Sequence, residues 1–412
     1  MQNKGNIMFA FCMKKLVSIT CIVVIVVFLS NKTWAVEEKD LEIVSQGINN
    51  FSFALYNKLK NKEKNLFYSP ASISIALAMT YAGARGNTEK QMAEVLHFTL
   101  PQEHLHSAYS KLIENLKSNK DYELHIANAL WLQKDYKYLP EFLNIMGRYY
   151  KGGFNEVDFR QNPEDIRLKI NNWVSKETKE RIKDMLNPGD ITTLTRLVLT
   201  NAIYFKGKWM AEFNKQFTKD EDFYLLNGKI IKVKMMFQEN RFKYFENDEL
   251  QLLELPYKGD KVSMVIILPK NLQKLENVEN TINEKKLQEL IKNAVNTKLK
   301  AYIPRFKFTQ RYDLRTILKS IGMKDAFDGA KADFSGINGR KDLYISKVIH
   351  KAFVEVNEEG TEASAATGVI IERTCIEKTA IFKANHPFIF LIRDKKTGCI
   401  LFMGKIMNPN EE

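Results

Sequence analysis

The sequence predicts a single domain of the α+β class. Patterns with helical periodicity dominate the first half of the chain, whereas strand patterns dominate the second half, and this segregation favours α+β over an alternating α/β sheet. No internal repeat, low-complexity segment or Gly/Ser-rich linker divides the 412 residues, and 45% of them are hydrophobic, which is enough for one large core.

The first 35 residues have the order of features found in a secretory signal peptide. Met13-Lys14-Lys15 supplies a basic start, and Leu16–Leu29 form an apolar run. Thr33-Trp34-Ala35 then supplies small residues at the end of the segment, where a signal peptide is cleaved. An apolar run of 14 residues is shorter than the ~20 needed to cross a bilayer, although a signal anchor and a start at Met13 remain alternatives. We therefore expect a secreted, extracellular protein whose mature domain comprises residues 36–412 and has no membrane span.

Four segments of the first half have helical patterns. From Asp40 to Lys60, apolar residues recur every three or four positions, which predicts an amphipathic helix. Ser69 is a suitable N-cap and Pro70 a suitable first residue for a second helix, whose sequence to Met79 is apolar on nearly every side and predicts burial. The remaining two patterns are Glu103–Leu116 and Pro163–Leu186.

Runs of apolar and β-branched residues predict strands in the second half. In chain order they are Leu197–Phe205, Ile230–Met236, Leu250–Leu255, Val262–Leu268, Leu299–Phe308 and Lys347–Val356. Near the C-terminus, Phe388–Ile392 and Cys399–Ile406 flank a charged run from 393 to 398, which predicts a buried β-hairpin with a charged tip.

The segment from Glu358 to Cys375 combines strand alternation with small side chains. In an extended chain, Thr361, Ala363, Ala365, Thr367, Val369 and Ile371 would share an uncharged face, opposite Glu362, Ser364, Ala366, Gly368, Ile370 and Glu372. Residues 360–368 lack the bulk that holds a strand permanently in a core, so we expect a segment that exchanges between an exposed loop and an inserted strand. A short surface helix or a flexible linker is the alternative.

The chain lacks the usual signatures of serine hydrolases, phosphate-binding enzymes and zinc peptidases. His104 and His106 lie two positions apart, which is a weak metal-ligand spacing, and we interpret them as surface histidines. His350 lies within a strand pattern that nominates no nucleophile, so a hydrogen-bonded structural role is expected. We therefore predict no enzymatic activity, no cofactor and no metal site.

Two kinds of covalent modification depend on the predicted secretion. Loss of the signal peptide would leave Cys375 and Cys399 as the only cysteines, and we expect two free thiols. The sequon Asn50-Phe51-Ser52 makes Asn50 a candidate glycosylation site, with burial against a helix as the alternative.

The mature chain is predicted to be basic. The formal net charge of +13 includes four signal-peptide lysines, so +9 remains after cleavage. The densest basic region comprises Lys285, Lys286, Lys292, Lys298, Lys300, Arg305, Lys307 and Arg311. It is a weak candidate for binding glycosaminoglycan, the alternative being a solvated face, and no nucleic-acid-binding module accompanies it.

Four separated motifs follow one another along the chain, namely Asn65–Ser74, Thr200–Trp209, Glu355–Ala363 and Phe382–Phe388. Together they resemble the N-terminal, central-strand, hinge and C-terminal motifs of the serpins, a family of secreted serine protease inhibitors, and the resemblance extends over residues 40–409. It implies one serpin-type domain with a large central, mainly antiparallel sheet, about eight or nine helices and an exposed reactive-centre loop at about residues 358–381.

The resemblance also implies a mechanism and a set of site residues. A target serine protease attacks the loop, becomes trapped as an acyl-enzyme, and is displaced when the freed loop enters the sheet. The hinge of this loop would comprise Glu358, Gly360, Thr361, Glu362, Ala363, Ser364, Ala365, Ala366 and Thr367. The shutter, where the sheet opens, would comprise Ser69, Ser72, Asn201 and His350. A monomeric inhibitor is expected, and a non-inhibitory carrier, chaperone or storage protein is the alternative.

Two ways of counting place the cleaved bond one residue apart. The family's commonest spacing puts it 14 residues after Gly360, at Thr374-Cys375. Counting back from the C-terminal motif, as in antithrombin, whose tail this one resembles, gives Arg373-Thr374. We prefer Arg373 because a guanidinium suits the acidic pocket of trypsin-like proteases, whereas Thr374 would suit an elastase-like target.

Overall fold

A computed structural model describes residues 38–118, 120–361 and 379–411. The predicted signal peptide and loop residues 362–378 lie outside the described residues. The described chain contains ten α-helices: α1 (38–59), α2 (Pro70–Tyr81), α3 (Gly86–Leu96), α4 (Gln102–Asn115), α5 (Pro140–Tyr150), α6 (Pro163–Glu177), α7 (Leu275–Thr281), α8 (Glu284–Asn293), α9 (Arg315–Ser320) and α10 (Ser335–Asn338). The resemblance implies about eight or nine helices, and the ten described ones include the short α9 and α10, with six and four residues.

Fifteen strands accompany these helices in the described residues. They are β1 (Leu66–Tyr68), β2 (Tyr122–Gln133), β3 (Phe154–Val157), β4 (Leu197–Lys208), β5 (Lys219–Tyr224), β6 (Ile230–Glu246), β7 (Leu250–Pro256), β8 (Val262–Pro269), β9 (Val295–Pro304), β10 (Phe306–Asp313), β11 (Lys347–Asn357), β12 (Gly360–Thr361), β13 (Ala380–Lys383), β14 (Phe388–Asp394) and β15 (Ile400–Ile406).

The strands form two sheets. A nine-stranded sheet runs in the order β1-β15-β14-β8-β7-β6-β9-β13, with β5 added beside β6. A six-stranded sheet runs in the order β10-β11-β12-β4-β2-β3 and is antiparallel except where β11 meets β4 and β2 meets β3. The predicted α+β class with a large, mainly antiparallel sheet is confirmed.

Helix α2 lies in the middle of the molecule and positions the site. Every one of its 12 residues is buried, as its apolar sequence predicts, and it contacts β15 of one sheet and β2 and β4 of the other. The hydroxyl of the N-cap Ser69 accepts a hydrogen bond of 3.1 Å from the Ser72 N–H, which fixes where the helix starts against the six-stranded sheet.

Two predicted elements are interrupted in the structure. The helix predicted over Pro163–Leu186 ends at Glu177, because Lys179 and Glu180 adopt positive φ angles of 50° and 61°. The apolar residues beyond this point still pack, in an irregular segment, into a second hydrophobic cluster between α6 and the six-stranded sheet. The strand predicted over Leu299–Phe308 is divided into β9 and β10, which belong to different sheets.

Candidate functional site: the seam between β4 and β11

The centre of the six-stranded sheet contains a seam, which we define as the parallel pairing of Lys347–Phe353 in β11 with Val198–Tyr204 in β4. Parallel pairs are slightly less stable per residue than antiparallel ones. Each of these two strands has an antiparallel neighbour on its other side, β10 beside β11 and β2 beside β4. β4 and β11 can therefore separate from each other while each stays paired with its other neighbour.

At one end the seam is already open, and β12 occupies the gap. Gly360 pairs with Asn357 of β11 and with Lys208 of β4, and Thr361 pairs with Val356 and Gly207. Both pairings are antiparallel, so β12 is the beginning of a strand between β11 and β4. The hinge residues Gly360 and Thr361 thus lie inside the sheet.

The Thr361 side chain points into the core. Only 1% of the residue is exposed, and its Oγ1 lies 2.8 Å from the hydroxyl of Tyr257. The Tyr257 ring stacks on Trp209, with ring centroids 4.5 Å apart. This buried aromatic pair fixes the face of the sheet on which Thr361 lies.

Gly360 is required by its close approach to β4. Its φ is +148°, and an added Cβ would lie 2.0 Å from the carbonyl oxygen of Gly207, a distance that no side chain tolerates. Glycine at this position lets the chain turn and enter the sheet in two residues.

The turn before β12 is held by backbone and ionic contacts. The Trp209 N–H donates to the Glu359 carbonyl at 2.9 Å, and the Phe213 N–H donates to the Glu358 carbonyl at 2.8 Å. The Glu358 carboxylate accepts hydrogen bonds from Arg305, at 2.8 Å from Nε, and from Thr218.

Two carboxylates of this turn are buried, and they differ in how many of their oxygen atoms have a hydrogen-bond partner. Burial alone would raise the pKa of Glu358, but the hydrogen bonds from Arg305 and Thr218 hold it below its usual value. Glu359 pairs with Lys215 through Oε1, whereas its Oε2 is buried without a hydrogen-bond partner. Ionised Glu358 therefore stabilises the turn. For Glu359, the pair with Lys215 compensates the burial of only one of the two carboxylate oxygens.

A buried polar cluster crosses the middle of the seam and brings together all four residues assigned to the shutter. The Ser69 N–H donates to His350 Nε2 at 3.1 Å, and His350 Nδ1 contacts Asn201 Oδ1. The amide of Asn201 donates to Ser72 Oγ at 2.5 Å and to the side-chain oxygen of Asn128. The cluster joins β4, β11, β2 and the start of α2, so it must rearrange if β4 and β11 separate.

The hydrogen bonds define the protonation state of His350. Because Nε2 accepts from a backbone N–H, the proton of the neutral ring lies on Nδ1 and points to Asn201. Complete burial lowers the pKa of His350 to about 3. The imidazole is neutral at physiological pH and acts as a hydrogen-bonding link between strands, in agreement with the structural role expected from the sequence.

Other predicted residues lie away from the seam. Asn50 is half-buried in α1, and Ser52 of its sequon is buried with its hydroxyl 3.2 Å from Met403 Sδ. Cys399 is a buried free thiol whose pKa burial raises. His104 is partly exposed beside Asp40, but His106 is buried against Tyr150, so its interpretation as a surface residue is wrong.

The predicted basic region is not a cluster of unpaired cations. Six of its eight members lie within 4.0 Å of a carboxylate, namely Lys286, Lys298, Lys300, Arg305, Lys307 and Arg311. The hinge residues Glu362–Thr367 and the candidate cleavage residues Arg373, Thr374 and Cys375 lie outside the described residues.

Several residues that build this site are not apparent from the sequence alone. Asn128 joins the polar cluster, Tyr257 and Trp209 support Thr361, and Arg305 and Lys215 bind the two glutamates of the turn. Each contact joins residues at least 48 positions apart, so no local pattern reports it. The one available signal is Asn128 itself, a polar residue in an otherwise apolar run.

Comparison with known proteins identifies the family. A sequence profile described as "Serpin (serine protease inhibitor)" matches residues 46–409. The chain belongs to the serpin family. The resemblance read from the four motifs is thereby confirmed.

Individual relatives support the same assignment. An uncharacterized serpin-like protein of Thermococcus kodakarensis is 44% identical over 373 residues, which cover 89% of this chain and 86% of the relative. The leukocyte elastase inhibitor of Xenopus tropicalis is 42% identical, covering 90% of this serpin and all of the relative. The structure of human thyroxine-binding globulin has a TM-score of 0.82 and 30% identity, covering 90% of this chain and all of the other.

These comparisons and the structure bear on two predictions, one about enzymatic activity and one about a membrane span. The prediction of no enzymatic activity needs a correction, because missing catalytic motifs do not establish it. What the comparisons supply instead is a positive assignment, since the matched family is described as serine protease inhibitors. Within the described residues, no helix of this serpin is both long and apolar enough to cross a membrane.

Proposed function

We propose that this serpin inhibits serine endopeptidases as a suicide substrate, by trapping an acyl-enzyme and inserting its cleaved loop into the seam. The observation that carries the proposal is β12, whose two residues already pair with both β11 and β4. A strand that has begun between two parallel neighbours can be extended when the loop is cut and its far end is released.

The register of β12 supports a strand whose length matches the seam. In an antiparallel pair, the residue numbers of two facing partners have a constant sum. This sum is 568 for β12 with β4 and 717 for β12 with β11. Continued in this register, residue 370 would lie opposite Val198 and Lys347, the first residues of the parallel pairing. Insertion of residues 360–370 would therefore replace the whole seam and stop three residues before Arg373.

The inward orientation of Thr361 supports the assignment of faces made from the sequence. In the same register, Ala363 and Ala365 would lie opposite Phe205 and Ile203, both of which belong to the main core. Small side chains are suitable there because the core is already filled. Thr367 would lie opposite both Asn201 and His350, so its hydroxyl would enter the polar cluster of the seam.

Strand insertion would supply free energy to the displacement of the protease. About ten new backbone hydrogen bonds, each worth roughly 1 kcal/mol net, give ~10 kcal/mol before packing is counted. In the covalent step, the protease serine attacks the carbonyl carbon of the cleaved bond and forms an ester, while the amine of the C-terminal fragment leaves with a proton. Distortion of the protease then prevents water from hydrolysing that ester.

The bond we assign is Arg373-Thr374, and the target class is a trypsin-like protease. The Arg373 guanidinium would form a charge-assisted pair with the carboxylate at the base of such a protease's specificity pocket. Thr374-Cys375 is the second candidate, and the name of the elastase inhibitor from Xenopus tropicalis favours it.

We also propose the location, the oligomeric state and the modification of the protein. We assign residues 1–35 to a signal peptide and 36–412 to a secreted, monomeric domain, with the reactive-centre loop at about 358–381. Asn50 is the proposed glycosylation site, although the burial of Ser52 restricts modification to the unfolded chain. Glycosaminoglycan binding by the basic region stays a weak candidate, because most of its cations are paired.

A non-inhibitory function is the alternative. The name of one structural neighbour, human thyroxine-binding globulin, indicates that the same fold also serves as a small-molecule binding protein. A carrier would not need a loop whose inward positions from Thr361 to Thr367 are all small.

The test is to mix the mature protein with trypsin and with elastase, run denaturing gels, and sequence the released peptide. A covalent band with trypsin and a peptide starting at Thr374 is the expected result. A complex with elastase and a peptide starting at Cys375 would assign the other bond, and cleavage without a complex would favour the carrier.

A further inference from the structure

A cavity of about 490 Å³ lies beside the turn that leads into β12. Asn357, Glu358 and Glu359 of the turn line it, together with the first two residues of β10 and with Pro409, which follows β15. Its lining residues lie outside the pairing that defines the seam. Natural ligand sites enclose several hundred Å³, so this cavity is large enough for a small molecule.

Among the described residues, three ion pairs line this cavity, and in each of them the carboxylate is the more buried member. The pairs are Lys215 with Glu359, Arg305 with Glu358, and Lys307 with Glu355. The side chains of the cations are 41–59% exposed, whereas those of the carboxylates are 1–24% exposed. The carboxylates therefore form the floor of the cavity and the cations form its rim, while their formal charges sum to zero.

Glu359 is the carboxylate of this floor whose hydrogen bonding is incomplete. The residue is 6% exposed, and its Oε1 accepts from Lys215, but its Oε2 has no partner in the part of the chain that the structure describes. A buried carboxylate oxygen without a donor is destabilising, because it has lost its hydration and gained no hydrogen bond in return. A ligand that brings a donor to this oxygen would remove that cost, so Glu359 is the anchor of the site.

Lys215 is the group that can make way for such a donor. It begins a short 3-10 turn, Lys215–Phe217, and more than half of its side chain is exposed. A lysine ammonium on a flexible four-carbon stem can rotate without disturbing the backbone. Its rotation would uncover both oxygens of Glu359 and would carry a positive charge towards the mouth of the cavity. A positive group of a ligand would then bind the floor, and Lys215 would be free to bind a negative group at the rim.

We propose that this cavity binds a linear zwitterion, a molecule with a primary ammonium at one end and a carboxylate at the other. The ammonium donates to both oxygens of Glu359 in place of Lys215, and the carboxylate is bound at the rim by Lys215 and Lys307. Phe306 and Pro409 supply apolar surface for the atoms between the two ends. Floor and rim lie at different depths, so ω-amino acids and short peptides fit better than α-amino acids, whose two charges are adjacent.

The site is linked to the turn, and its occupancy can be followed there. The Trp209 indole donates to the carbonyl of Asn357 at 3.0 Å, and Asn357 lines the cavity, so tryptophan fluorescence should respond to a bound ligand. Binding needs no protease and is independent of the proposed inhibitory function. Failure of one would therefore leave the other unaffected.

The experiment titrates 6-aminohexanoate into the mature protein and follows binding by calorimetry and tryptophan fluorescence. Hexylamine and hexanoate, which each keep one charged end, are the matched control ligands. The zwitterion is expected to bind about tenfold more tightly than either of them. Triglycine distinguishes a peptide from a free ω-amino acid as the source of this chemistry. Equal affinities for the zwitterion and the two control ligands, or no saturable binding at ~10 mM, would overturn the proposal.

Variants of the ion pair test the anchor. Glu359→Gln keeps the shape of the side chain and should weaken binding of 6-aminohexanoate about tenfold, whereas Glu276→Gln, the same change at an exposed pair on α7, should leave it unchanged. An unaltered affinity in Glu359→Gln would overturn the proposal.

Lys215→Met separates a role in binding from a role in folding, and its exposed position makes misfolding an unimportant risk. Removal of the ammonium that competes for Glu359 should tighten the binding of hexylamine several-fold and weaken that of hexanoate. Weaker binding of hexylamine by Lys215→Met than by the wild type would contradict the exchange of ammonium groups and overturn the proposal.

Discussion

The hydroxyl groups of Tyr257 and Thr361 lie 2.8 Å apart in the core, although 104 positions separate the two residues in the sequence. Burial raises the pKa of Tyr257, so the phenol keeps its proton. The contact fixes which side of Thr361 faces the core, and the alternation of a strand then fixes the side of every residue that would follow it into the seam.

Replacing Thr361 by arginine should convert the inhibitor into a substrate. The guanidinium cannot occupy the space beside Tyr257 without losing its hydration, so insertion of the loop would slow while deacylation would not. The number of inhibitor molecules consumed per protease should rise several-fold in titrations with trypsin. Thr361→Ser, which keeps the hydroxyl, is the control, and retention of wild-type stoichiometry in Thr361→Arg would contradict insertion at this position.

Alanine at Gly360 should expel β12 from the sheet. The new Cβ would meet the Gly207 carbonyl at 2.0 Å, a clash that adds to the cost of a positive φ. Limited proteolysis near residue 360 should become faster, and the free energy of unfolding should fall by more than 2 kcal/mol on the order-of-magnitude scale of strained backbone sites.

Gly228→Ala is the matched control for this variant. Gly228 has a φ of +81° and nothing within 4 Å of an added Cβ, so only backbone strain of about 1–2 kcal/mol is expected. Equal losses of stability in the two variants would mean that the contact with Gly207 has no effect.

Stability should fall as the pH drops below 6.5, because two buried histidines must take up protons. Burial lowers the pKa of His350 from 6.5 to about 3 and that of His106 to about 4, so between these values the unfolded chain binds more protons than the folded one. At pH 5 each histidine should cost ~2 kcal/mol relative to pH 7.5.

Urea unfolding at the two pH values measures this loss. His350→Gln and His106→Phe should each reduce the difference between pH 7.5 and pH 5 by ~2 kcal/mol, whatever they do to stability at pH 7.5. A variant that keeps the full difference would show that its histidine does not titrate in this range.

Loss of the carboxylate at Glu279 should be strongly destabilising. Glu279 Oε1 accepts hydrogen bonds from Lys405 Nζ at 2.8 Å and from the Tyr56 hydroxyl at 2.7 Å, and Lys405 is 1% exposed. Glu279→Gln would leave the ammonium buried without a counter-ion, at a cost of about 3–5 kcal/mol. Glu276→Gln, in the same helix, removes an exposed pair with Lys62 and should cost less than about 1 kcal/mol in urea unfolding.

Local patterns predicted the strands of the seam but missed one of its neighbours. β4 and β11 are rich in β-branched and aromatic residues, so the sequence alone reveals them. The β2 strand was missed because His125 and Asn128 are polar and Ala127 and Ala129 have low strand propensity. The small residues are suitable there because α6 covers that side of the sheet, and this packing is a tertiary property.

The site was predicted only in part for a related reason. The alternation of small residues after Gly360 predicts the inward side of Thr361, where the structure places it. Nothing local predicts that Arg305 binds Glu358, and from the sequence Arg305 belongs to a basic region that is a weak candidate for glycosaminoglycan binding or a solvated face. Partners of this kind depend on the register between distant strands, which becomes known only when the sheet is assembled.

The pairing of β1 with β15 has a consequence for biosynthesis. Phe67 stacks on Phe402 at 5.2 Å, a residue that leaves the ribosome 335 positions later. At a synthesis rate of 5–20 residues per second, the nascent chain carries an unfinished sheet for on the order of half a minute. The nine-stranded sheet therefore closes only after β15 has been synthesised, and during that interval the apolar surface around Phe67 is open to chaperones and to neighbouring nascent chains.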